Sequence, residues 1–404
     1  MTSPSTSPDL PRPDVPPRAE PPHTQPPHTH PPRTEAPPDR RLAAAALTAS
    51  GATAAMLGWF VARPDLDPLL PDGRMLGAEL VPAASLVLVL LASALLGVVV
   101  AAAALAGPTA RAAGRLVAPV GVLEVVVFGL LAQGSGTLPA AGYLVSFAVP
   151  LLALWAGVQV FRTRPAWRLP LALAAALAVV GVVVGRDAFA TWWGELSSGL
   201  GREPWSVPSV LLPLATAAAW AGLVAVRAWQ RGSLRTATAW VTRHRTLFTV
   251  VAALGPLPYA LARLTWLTPW PQFAGPAEDL TLPVRIQGLS LSSGAWLGIV
   301  LTLGLILPWG ERLPRWFGRR AGRPVPPAAA IVPGGIVAVM LCGAAVPMIV
   351  MMGWAGALYF PAWFWGPALA LAVWGYAGHR YGVLDPDVGV SPAAPARPAP
   401  ASRR

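Results

Sequence analysis

The sequence predicts an all-α membrane protein: a polytopic bundle of about ten transmembrane helices with both termini cytoplasmic. Three observations predict it. Of the 404 residues, 54% are hydrophobic and only 12% charged, against about 25% charged in an ordinary soluble domain, which excludes a soluble globular enzyme. Apolar stretches recur at lengths able to cross a hydrocarbon core of about 30 Å, which takes about 17–25 helical residues. Arginine then alternates between heavy and light loops along the whole chain.

The ten stretches fall near 42–61, 81–106, 116–133, 140–161, 169–185, 207–226, 246–266, 289–309, 328–353 and 362–378. Residues 1–41 are dominated by proline, threonine and histidine, and with few aliphatic side chains they cannot bury enough surface to offset chain entropy. They are expected to form a disordered cytoplasmic tail, too long and too poor in a basic n-region for a cleaved signal peptide. Residues 384–404, rich in proline and alanine, are expected to form a second such tail, leaving 42–383 as the membrane domain.

Lysine is absent, so all 30 basic residues are arginine. Cytoplasmic loops carry an excess of basic residues. With the N-terminus inside, 24 arginines fall on inner segments, five on outer loops (Arg63, Arg74, Arg186, Arg202 and Arg285), and Arg263 lies within a span. This alternation supports ten spans in a bacterial plasma membrane. The net charge of +12 therefore belongs to topology, with the anionic headgroups of the inner leaflet as partner rather than nucleic acid. Tryptophans mark the same boundaries, because indole rings favour the headgroup level: Trp59, Trp266, Trp270, Trp309, Trp354 and Trp363 all stand at span ends. The outer segment Arg186 to Trp205 is expected to be a plain loop with tryptophan anchors; the alternative is a short amphipathic element along the interface.

Few residues could carry chemistry. Glu124 sits eight residues into an eighteen-residue span. An ionised carboxylate at that depth costs several kcal/mol unless it is paired, protonated or wetted, so an intramembrane acid is a functional candidate by default. It suits proton coupling, or else a hydrogen bond that holds packed helices together. Arg263 follows Pro256 and Pro258, which interrupt the helical ladder in mid-span, and broken helices line substrate cavities in transporters. The blander alternative is an arginine snorkelling to the headgroups. If the third and seventh spans are neighbours, Glu124 and Arg263 can pair, and Tyr259 and Tyr143 can add hydrogen bonds to the same site. A second interruption is expected at Pro333-Gly334-Gly335 in the ninth span.

The remaining signals lead to no cofactor, metal or catalytic assignment. The single Cys342 excludes an intramolecular disulfide. His23, His28 and His30 lie in the proline-rich tail without a fourth metal ligand, and His379 reads as a headgroup-level residue. Asp65, Asp67, Asp72 and Glu79 form one acidic outer cluster, where an enzyme acting on lipid-linked substrates would place its carboxylates; a solvated loop is the simpler account. No phosphate loop or Ser-His-Asp order is present.

Ten spans with both ends inside resembles the drug/metabolite transporter arrangement of two inverted five-helix halves. The segment Trp309-Gly310-Glu311-Arg312-Leu313-Pro314-Arg315-Trp316 before a proline-opened span, together with the lysine-free composition, resembles uncharacterised multi-pass membrane proteins of actinobacteria. That resemblance covers the C-terminal half and implies no activity. Transport is the first expected function, with a non-catalytic sensor or scaffold second and a membrane enzyme third.

Overall fold

The computed structural model describes residues 38–384 apart from 67–74, 107–109, 135, 138–150, 152–153, 156, 203, 274 and 276–278. Residues 1–37 and 385–404 of the two expected tails, most of the fourth expected span, Tyr143, Asp67 and Asp72 lie outside the described residues, as do His23, His28 and His30, whereas residues 38–41, expected as tail, open the first helix. The fold is all-helical, and the described residues contain no strand, only two isolated bridges.

Twelve α-helices are described: α1 (Pro38–Ala62), α2 (Ala83–Leu105), α3 (Ala110–Val126), α4 (Arg168–Val184), α5 (Arg186–Arg202), α6 (Pro208–Gln230), α7 (Arg235–Arg243), α8 (Arg245–Leu254), α9 (Leu257–Leu264), α10 (Leu282–Leu303), α11 (Ala328–Tyr359) and α12 (Ala362–Arg380). Eight described spans are long and apolar enough to cross a membrane, and a ninth arises if Met352–Tyr359 and α12, bent by 43°, count as one. At 1.5 Å per residue, the 23 residues of α2 reach about 35 Å.

The helices form two packing groups. In the first, α1 lies against α2 and α6, α2 against α3, and α3 against α6. Its apolar core includes Leu57, Phe60, Leu86, Leu90 and Phe128, with a second cluster around Val117, Trp220 and Leu223. In the second group, α12 is the hub, packed on α11, α8 and α7, while α10 lies against α8 and α9. Its core centres on Leu341, Met348, Trp365, Leu369 and Tyr376. The groups meet where α11 touches α6 and the π-turn that continues α3 through Val127–Leu131.

Several expectations are corrected. The segment after Arg186 is not a loop but the seventeen-residue helix α5, which contacts α10. Its sequence mixes apolar and polar residues at helical spacing, so an amphipathic helix satisfies the backbone where a loop would leave polar groups exposed. The basic stretch 235–243 is likewise helical: Thr238, Val241 and Thr242 turn inward while Arg235 and Arg243 stay outside. Pro333 does not break its helix, since α11 runs through both Pro333 and Pro347. The break falls at Gly353, whose φ of 64° is open to glycine and strained for side-chain-bearing residues. Pro256 does interrupt its span, dividing α8 from α9 at Gly255–Pro256. Proline there lacks the N–H and clashes with the preceding turn, and Gly255 lies so close to the Trp365 ring that a Cβ would stand 2.5 Å from it.

Candidate functional site

Glu124 occupies the middle of the first helix group, and the period of α3 places it there. Val117, Val120, Glu124, Val127 and Phe128 recur at three- and four-residue intervals and are all buried, whereas Leu116, Val122, Leu123 and Val126 point outward. A side chain three or four positions from core residues on a helix shares their face, so the acid is directed inward rather than to lipid. Its exposure is 0%.

The neighbouring helices aim hydroxyl groups at the same level. Ser93 of α2 donates to Glu124 Oε1 at 2.9 Å. Ser50 of α1 accepts the indole N–H of Trp220 of α6 at 3.0 Å, and Thr53 and Thr216 share a hydrogen bond of 2.9 Å between α1 and α6. All five partners are buried. Gly97 makes the approach possible: a Cβ at that position would lie 2.8 Å from Ser50 Oγ and 3.0 Å from Glu124 Oε2. Oε2 itself is buried without a hydrogen-bond partner. One carboxyl oxygen bonded to a hydroxyl and one left bare fits a neutral acid far better than a bare charge, which would carry the full cost of desolvation.

Arg263 lies elsewhere. It belongs to α9, which packs on α10 and α11 and shares no packed interface with α3. Its guanidinium sits 3.7 Å from the Trp266 ring centroid and 5.2 Å from that of Tyr259, a cation–π arrangement that shelters the charge. Gly288 of α10 leaves room for both, since a Cβ there would meet Trp266 at 2.4 Å and Arg263 at 2.9 Å. Tyr259 is buried and packs edge-on against Tyr359 and Phe360. Arg285 donates to the Trp266 carbonyl, fixing the end of α10 to the same cluster. The structure thus joins Arg263 to Tyr259 and separates both from Glu124; Tyr143 is outside the described residues.

Two features escaped sequence reasoning. The hydroxyls around Glu124 were legible, because Ser50, Thr53, Ser93, Thr216 and Trp220 all sit at core positions of their spans, yet none is costly enough alone to attract notice. The second is a charged knot at the opposite end of the other group. Glu311 accepts from His379 at 3.0 Å and lies 3.6 Å from Arg245, while Arg380 donates to Val325 O at 2.7 Å and Tyr376 to Gly310 O at 2.9 Å. This ties the connection 304–327 to the end of α12. Among the described residues no group of three or more His, Cys, Asp or Glu could hold a metal ion.

No protein-family model matches the chain, and comparison with curated proteins and with solved structures finds no similar sequence or fold.

Proposed function

We propose that the chain is a ten-span plasma-membrane protein with both termini cytoplasmic, and that it acts as a non-catalytic sensor or scaffold rather than as a proton-coupled transporter. The topological half is supported by the arginine distribution and by helices long and apolar enough to cross a bilayer. Its arginine-rich inner segments contact anionic lipid headgroups.

One observation carries the functional half. Glu124 is fully buried in a contact between helices, held by Ser93, and lies in a different helix group from Arg263. A carrier needs a polar path that joins its intramembrane ionisable groups to a solvated cavity, and these two residues do not share one site. The acid then serves helix packing, where a buried hydrogen bond between membrane helices contributes about 0.6–2 kcal/mol.

The test is proton flux into liposomes containing the purified protein. The expected result is flux no greater than in protein-free liposomes, unchanged in Glu124→Gln. A pH-gradient-driven flux that Glu124→Gln abolishes would reverse the assignment in favour of transport, with the bare Oε2 as its proton site.

A further inference from the structure

We infer that the junction of α3 and α6 forms a specific site for the phosphate headgroup of an anionic phospholipid. A pocket of about 70 Å³ opens there, walled by Val117, Ala118, Val224 and Ala228 and edged by Arg227 and Arg231. The apolar wall and the basic edge are two halves of one recognition surface. A phospholipid presents an acyl chain next to a phosphate, and the site presents valine and alanine next to two guanidinium groups.

The arginines converge because of where their helices end. Arg227 lies in the last turn of α6 and Arg231 just beyond it, four residues on and so on the same face. Both reach toward the first turns of α3: Arg231 Nη2 lies 3.5 Å from Gly114 O, and a Cβ on Gly114 would stand 4.0 Å from Arg227 Nη1. The guanidinium fork matches a phosphate in two parallel hydrogen bonds. Asp39 of α1 is within electrostatic range of Arg227; the second arginine leaves the site basic.

The depth of Arg227 separates this site from the other arginine clusters, with Arg231 exposed at its rim. Arg227 is half-buried at the end of a membrane-length helix, and Val117 below it is fully buried, so the pocket descends from a charged rim into an apolar interior. Arg312 and Arg235, by contrast, are exposed on connections or helix surfaces. Free phosphate would satisfy the rim but not the wall, which commits the site to a lipid.

The inference rests on the protein being membrane-embedded, and the test keeps the two apart. The full chain is purified in a neutral detergent, incubated with phosphatidylglycerol or phosphatidylcholine, and the retained lipid counted by native mass spectrometry. Failure to enter the detergent-solubilised membrane fraction would sink the membrane assignment itself. Given extraction, the wild type is expected to retain phosphatidylglycerol selectively. R227Q/R231Q should weaken that retention by about 30-fold, the ratio that two surface-level arginine–headgroup contacts supply. R312Q/R315Q, with the same charge removed elsewhere, should retain it. Ala228→Trp, which fills the pocket while keeping both arginines, should also expel the lipid and shows the effect of the wall if R227Q/R231Q fails to fold. Equal losses in R227Q/R231Q and R312Q/R315Q, retention undiminished by Ala228→Trp, or complete displacement by inorganic phosphate would each overturn the site.

Discussion

The two helix groups handle polarity in opposite ways. The α1–α2–α3–α6 group keeps long helices unbroken through the core and buries an acid with several hydroxyls in mid-bundle. The group around α12 breaks its backbone at His244, Gly255–Pro256 and Gly353 but holds its charges at helix ends, where Arg263 lies over Trp266 and Glu311 between Arg245 and His379. A transport site usually unites broken helices with buried charge. Here the buried acid stands apart from the broken helices and from Arg263, which lies on one of them, and that separation is what favours a packing role for Glu124.

The contrast can be broken most forcefully at Glu124 itself. Glu124→Lys buries an ammonium with no counter-charge and should destabilise the first group by at least about 3–5 kcal/mol, seen as loss of monodisperse protein after extraction, while Glu124→Gln remains extractable. Next in size is Gly97→Val, whose side chain would collide with Ser50 and Glu124; overpacking of this kind costs about 1–3 kcal/mol, readable as a lowered Tm in detergent. Ser93→Ala removes the donor to Oε1 and should cost about 0.6–2 kcal/mol. If Ser93→Ala leaves the Tm unchanged, the hydrogen bond is not what holds α2 to α3. The smallest effect is expected in the second group: Glu311→Gln removes the ion pair with Arg245, whose side chains are 37% and 22% exposed, and such partly solvated pairs contribute about 0–1 kcal/mol. A loss from Glu311→Gln larger than that from Ser93→Ala would show the ends, not the core, to be the stabilising element.

Span positions were legible in the sequence because hydrophobic length is a one-dimensional property. That Glu124 shares a helix face with Val117, Val120 and Phe128 was legible from helical period as well, but not that this face is the buried one, since Leu116, Val122, Leu123 and Val126 opposite are equally apolar. What could not be read was adjacency. Whether α3 lies beside α9 depends on how several similar apolar cylinders choose neighbours, and close-fitting glycines such as Gly97, Gly121 and Gly288 encode that choice only in three dimensions. The stretch 186–202 was misjudged because its tryptophans were credited to interface anchoring, although their spacing also suits an amphipathic helix. Pro333 misled for a different reason: it lies early in α11, where the helix continues through the loss of one backbone bond.

One helix stands outside the comparison. Among the described residues, α4 buries none of its side chains and touches little beyond α5 and the turn Pro165–Trp167, although its composition is among the more apolar of the spans. Among the described residues, α4 thus presents apolar surface on every side, the state in which a membrane helix partitions into lipid before it associates with its neighbours.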